Sequence, residues 1–176
     1  MTALVHASSA RERSARDWLL LSAEDSDQAR QEWSQRGVTV LRCGVLFDVV
    51  RVRSELVVAA AGTSDPEGVA QALADALNGC PVFADRTSGL YYCMVPPGTR
   101  QAWQSGDAAC LGLGSVVGVP RPDLDASDRG ARSAWYVPLA APWDLCSAAA
   151  VQQFVHIGRL RQLQNSVSRR AAGSDE

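Results

Sequence analysis

Lysine is absent from this sequence: all 17 basic side chains are arginine. That absence excludes a Schiff-base lysine and a P-loop lysine. With the heavy use of alanine, valine and glycine, it matches the codon bias of a high-GC bacterial genome. Histidine is nearly as scarce, with only His6 and His156 present. A Ser–His or Cys–His catalytic pair in the folded part would therefore have to use His156. No GxSxG, HExxH or GxGxxG occurs. No apolar run approaches the ~20 residues of a membrane span, and the opening "MTALVHASSARERSAR" has no apolar core of a secretory signal. Cys43, Cys80, Cys93, Cys110 and Cys146 form no CxxC pair and mostly sit in apolar runs, so they read as small buried hydrophobes in a reduced, cytoplasmic protein. A zinc site would need ligands clustered at short spacing, and there are none.

What is present is the composition of a soluble globular chain. Of 176 residues, 47% are hydrophobic and 20% charged, enough for one domain with a sizeable core. The net charge of −2 provides no global basic field for a nucleic-acid backbone. Residues 1–15 read as a flexible N-terminus, 16–167 as a single domain and 168–176 as a flexible tail.

Local signals divide that domain. Ser26, with Asp27 in the first turn, predicts a helix ending at Gly37. "VTVLRCGVLFDVVRV" predicts either a strand pair or one long strand bent at Gly44. "SELVVAAAG" predicts a short helix. In "TSDPEGVAQALADALNG", Ser64 or Asp65 caps a helix with Pro66 at its first position and Val69, Leu73, Ala76 and Leu77 on one face. A hairpin follows, turning at "RTSG". Then come a helical turn in "TRQAWQSG", two strands meeting at Gly112 or Gly114, a polar loop, and the strand "AWYVPL". The last predicted element is a helix over 143–167, with Val151, Phe154, Val155, Leu160, Leu163 and Val167 along one stripe. This order predicts an α+β fold: a mostly antiparallel sheet with helices packed on it.

"TSGLYYCMVPPG", "GLGSVVGVPRP" and "ARSAWYVP" together resemble the archaeo-eukaryotic primase, or primase-polymerase, fold. They resemble especially the bacterial bifunctional primase/polymerase N-terminal domain, and the likeness covers residues 38 to 140. It implies a primase-polymerase-like fold with "VLFDVVRV" as the first catalytic strand. That strand would carry two acidic residues one apart, facing two divalent cations. Alternation requires that spacing, because residues i and i+2 share a face of a strand. Here Asp48 is followed by Val49 and Val50, so the second carboxylate is missing. The phosphate-contacting histidine of the family would fall near Tyr91 or Tyr92. The third acidic residue would fall on "AACLGLG", which has none; Asp107 is the nearest. Two-metal phosphoryl transfer needs several anionic ligands holding ions about 4 Å apart, and one aspartate cannot supply them.

The expectation is therefore a non-catalytic binding or regulatory domain with no metal and no cofactor, more a binder than an enzyme. Its candidate nucleotide- or ligand-binding residues are Asp48, Arg51, Arg53, Tyr91 and Tyr92. Arg51 and Arg53 share a strand face, and arginine beside tyrosine can grip a phosphate or stack a base. Arg42, Arg51 or Arg53 could instead pair with Asp48 in the core. Asp123, Asp125 and Asp128 lack the glycine and glutamate spacing of a calcium loop and read as a solvated loop. One alternative is a nucleotidyl-transfer enzyme using Mg or Mn on rearranged ligands, Asp48 with Asp85 and Asp107. Another is a protein-interaction module acting through the C-terminal helix, docking an unidentified protein partner or a second copy of the chain. No membrane partner is expected, and the case for nucleic acid is weak.

Overall fold

A computed structural model of the protein describes residue 10 and residues 13–172. His6 and most of the predicted flexible N-terminus lie outside those residues, as do positions 173–176 of the predicted tail. Residues 13–15, at the end of the predicted flexible N-terminus, belong to a helix, α1 (13–20), with Ala15 buried. Residues 168–172, at the start of the predicted tail, continue the final helix.

The remaining elements are α2 (Ser26–Arg36), β1 (Val38–Arg42), β2 (Asp48–Arg53), α3 (Ser54–Ala61), α4 (Pro66–Ala76), β3 (Val82–Asp85) and β4 (Leu90–Val95). After them come α5 (Thr99–Ala102), β5 (Ala109–Leu111), β6 (Val116–Pro120), β7 (Ser133–Val137) and α6 (Ala148–Ala172). Five strands form one sheet in the order β5-β2-β4-β3-β7, and β1 and β6 form a separate ribbon. All the strand pairs are antiparallel. The architecture is α+β.

Both glycine-marked breaks are strand-to-strand crossings between layers. Antiparallel pairing of β2 with β5 ends near Val49 opposite Leu111, and that of β1 with β6 resumes at Arg42 opposite Val116. The chain between β1 and β2 crosses the chain between β5 and β6 there. Gly44 has φ of 99°, and any Cβ on it would overlap the backbone of Leu113. Only glycine fits such an approach at positive φ. The two strands expected to meet at Gly112 or Gly114 do flank that turn, but they pair with β2 and β1 rather than with each other.

The sheet divides the core in two. On one face Val50, Val52, Val82, Ala84, Cys93 and Val95 pack under α3, α4 and α6. On the other, Val49, Phe83, Met94 and Trp135 pack under α1, α2 and the ribbon. Trp33 fastens α2 to the ribbon by donating its indole N–H to the Val119 carbonyl at 3.0 Å.

Caps follow the local chemistry with two adjustments. Asp25, not Ser26, caps α2, accepting from the amides of Asp27 at 2.8 Å and Gln28 at 3.0 Å, while Ser26 donates back to the Leu20 carbonyl. Asp65 caps α4 with Pro66 in its first turn, and Val69, Leu73 and Leu77 face the core, but Ala76 is exposed.

The last helix departs most from expectation. It starts at Ala148 rather than 143, because Cys146 is held out of helical geometry. Its amide donates to the Met94 carbonyl at 2.7 Å and its sulfur is bonded to Cys80. That disulfide corrects the reading of all five cysteines as free thiols; Cys43, Cys93 and Cys110 are free and buried. Of the predicted stripe, Val151, Phe154 and Val155 are buried, whereas Leu160, Leu163 and Val167 are exposed. Gly158 lets α6 cross α3 closely, since a Cβ there would overlap the Leu56 carbonyl oxygen. Among the described residues no helix is long and apolar enough to cross a membrane.

Candidate functional site

Strand β2 sorts the candidate residues by parity. Asp48, Val50 and Val52 point to the helix-covered face; Val49, Arg51 and Arg53 point to the other. Tyr91 and Tyr92, being adjacent on β4, are split the same way. The five candidates therefore belong to two opposite faces and cannot form one site.

Asp48 is fully buried. Its Oδ2 accepts the backbone N–H of Arg100 at 2.9 Å, which satisfies one of the unpaired amides at the start of α5. Its Oδ1 has no hydrogen-bond partner among the described residues. Gly112 permits this packing: a Cβ there would lie 2.7 Å from the Arg100 Cβ and 3.1 Å from Asp48 Oδ2. None of Arg42, Arg51 and Arg53 pairs with Asp48; Arg42 reaches Glu24 at 3.0 Å instead. Asp48 is thus a structural acceptor that joins β2 to α5.

The positions that would face metal ions in a primase-polymerase strand are 48 and 50, and both are sealed in the core. Asp85 is opposite Leu90, and Leu90 is opposite Arg53, so Asp85 is five residues along the register and two strands across from Asp48, roughly 19 Å away. Asp107 lies beyond β5 and faces the Arg159 guanidinium at 3.7 Å. Asp48, Asp85 and Asp107 are not brought together, and among the described residues no three His, Cys, Asp or Glu side chains are placed to share a metal ion.

Tyr91 is buried, its ring edge-on to Tyr136 at 4.9 Å, and desolvation raises its phenol pKa. Tyr92 is half-buried, stacked on Phe83 at 5.0 Å and directly across from Arg51. Burial raises its phenol pKa, with the Asp85 carboxylate adding to the rise and Arg51 opposing it.

Arg51 and Arg53 are exposed and line a groove with Leu90, Ala109 and Cys110, closed on its far side by Arg100, Trp103 and the 105–108 turn. The groove encloses about 740 Å³. Trp103 is fixed by its indole N–H, which donates to the Ala108 carbonyl at 2.8 Å. Among the described residues none of Arg51, Arg53 and Arg100 has a carboxylate within 4.0 Å; Arg30, Arg42, Arg121, Arg132 and Arg159 each have one. Three guanidinium groups with no carboxylate within 4.0 Å among the described residues therefore border one groove, whose lining also includes Asp107, itself facing Arg159. Sequence reasoning found two of them; Arg100 and Trp103 come from 47 or more positions away, and no local signal tied them to β2.

The remaining polar clusters are engaged in structure. Asp125 accepts from the Ser127 amide at 2.7 Å and hydroxyl at 2.6 Å, and Asp128 accepts from the Asp125 amide at 2.7 Å. Arg86, in the hairpin turn, donates to the carbonyls of Ala126 at 2.7 Å, Asp128 at 2.5 Å and Ala131 at 3.2 Å, and so ties down the same loop. The free thiols are unsuited to nucleophilic chemistry: burial pushes Cys43 and Cys93 up to about 12 and Cys110 up to about 11. His156 is on the exposed side of α6.

Comparison with protein-family models, with curated proteins and with solved structures finds no match for this chain.

Proposed function

We propose that the chain is a non-catalytic binding domain on a primase-polymerase-like scaffold, and that it holds a phosphate-bearing ligand of the nucleotide type in the groove beside β5. The observation that carries this reading is the convergence of Arg51, Arg53 and Arg100 on one groove, none with a carboxylate within 4.0 Å among the described residues, the one carboxylate on the lining, Asp107, being turned to Arg159. Guanidinium groups hold phosphate oxygens through paired N–H donors and keep their charge at any physiological pH. Trp103 at the groove wall offers an aromatic surface for a base. The burial of positions 48 and 50 supports a binding role over nucleotidyl transfer.

The test is thermal unfolding with each nucleoside triphosphate, with and without Mn²⁺, for wild type and for Arg51→Ala/Arg53→Ala. A ligand at ~100 times its Kd adds about 2.7 kcal/mol, a rise of roughly 5–10 °C for a chain of this length. The reading expects a metal-independent rise that the double variant loses. A rise that requires Mn²⁺ would favour the nucleotidyl-transfer alternative, and no rise with any nucleotide would overturn the proposal.

A further inference from the structure

Asp48 holds Arg100 by its backbone and leaves its charged end free. The Oδ2 oxygen accepts the Arg100 amide at 2.9 Å, while no carboxylate lies within 4.0 Å of the Arg100 guanidinium among the described residues. A carboxylate beside an arginine commonly pairs with the guanidinium through two parallel N–H donors. Here the bond is at the root of the side chain instead, and the tip stays available to the groove.

The root needs an outside hold. α5 has four residues, Thr99–Ala102, too few to persist on hydrogen bonds of its own. Its N-cap, Gly98, has no side chain to accept an amide, so Asp48 supplies the acceptor from 52 positions away. Gly112 then limits where the side chain can go. A Cβ at 112 would lie 2.7 Å from Arg100 Cβ and 3.2 Å from its Cγ. Those are the stem atoms next to the backbone, which cannot move aside without turning α5. A fully buried carboxylate with one unpartnered oxygen is also a costly way to satisfy one amide of so short a helix. Local features that cost stability gather at functional sites.

We infer that Asp48 and Gly112 are positioning residues for the groove: by fixing the amide and first two side-chain carbons of Arg100, they aim its guanidinium at the phosphate oxygens of the ligand. This inference rests on the phosphate-binding reading of the groove.

The test is titration calorimetry of the full chain with inorganic tripolyphosphate, which carries phosphates and no base. The variants are Asp48→Ala, Asp48→Asn, Gly112→Ala, Arg100→Ala, Asp48→Ala/Arg100→Ala and Arg51→Ala/Arg53→Ala, each shown by its melting curve to be folded at the assay temperature. Expected is a loss of roughly tenfold in affinity for Arg100→Ala, as for one charge-assisted contact. Asp48→Ala and Gly112→Ala should lose a similar amount, and Asp48→Asn, which keeps an acceptor for the amide, should bind like wild type. In the Arg100→Ala background, Asp48→Ala should cost nothing more, a non-additivity that general loosening of the fold would not produce. Full affinity in Asp48→Ala, alongside lost affinity in Arg51→Ala/Arg53→Ala, would overturn the inference and leave the groove reading standing. So would a further loss in the Arg100→Ala background, or an asparagine variant as weak as alanine. Absence of tripolyphosphate binding by wild type would overturn the groove reading and this inference with it.

Discussion

Asp48 separates a structural from a catalytic reading, because two substitutions there move in different directions. Replacing it with alanine removes the acceptor for the Arg100 amide. An orphaned, partly buried N–H costs about 1–3 kcal/mol. Losing a carboxylate that is fully buried and has one unpartnered oxygen returns part of that cost, because a desolvated charge disappears with it. The net expectation for Asp48→Ala is a loss of about 1–2 kcal/mol, or roughly 2–8 °C in Tm. Asp48→Asn keeps an amide oxygen facing Arg100 and sheds the charge, so its stability should equal or exceed that of wild type. Differential scanning calorimetry at neutral pH gives the order, with urea unfolding as a check that the m-value is unchanged. Asparagine as damaging as alanine would refute the reasoning, since it would show that the negative charge itself is required. An alanine variant as stable as wild type would equally refute it, by showing that Asp48 does not hold α5.

Two further outcomes follow from packing and from titration. Gly158→Ala should lower stability by about 1–2 kcal/mol, because an overpacked contact with the Leu56 carbonyl costs about 1–3 kcal/mol and helix propensity returns at most ~1; a urea midpoint at or above the wild-type value would show that α6 does not sit this close to α3. Burial works to raise the Asp85 pKa, but hydrogen bonds from Ser88 and Thr87, with Arg132 nearby, outweigh it and hold the carboxyl below its usual range. A depressed carboxyl contributes stability above its unfolded pKa of about 4 and loses it as pH falls through the lower folded value. Wild type should therefore lose Tm below about pH 4 more steeply than Asp85→Asn, and parallel acid limbs would contradict the assignment.

Much of the fold was legible because its signals are local. The α4 cap with Pro66, the α2 stop at Gly37, the "RTSG" hairpin and the polar loop after β6 each depend on a handful of consecutive residues. The site was less legible. Arg51 and Arg53 could be placed on one face by alternation alone, and they are. Tyr91 and Asp48 could not be assigned a face as open or covered, because the helices that bury them come from elsewhere in the chain.

By itself, the sequence determined the order of helices and strands from α3 onward, the absence of lysine chemistry, and the missing second carboxylate beside Asp48, since propensity, capping and side-chain inventory act over a few residues. Only the tertiary structure decided that β1 and β6 leave the main sheet as a ribbon, that Cys80 joins Cys146 across 66 positions, and that Asp48 serves Arg100 across 52. It also decided that Arg51, Arg53 and Arg100 meet at one groove. Such pairings depend on which distant segments share a face once the chain has closed, and no short window of sequence contains both partners.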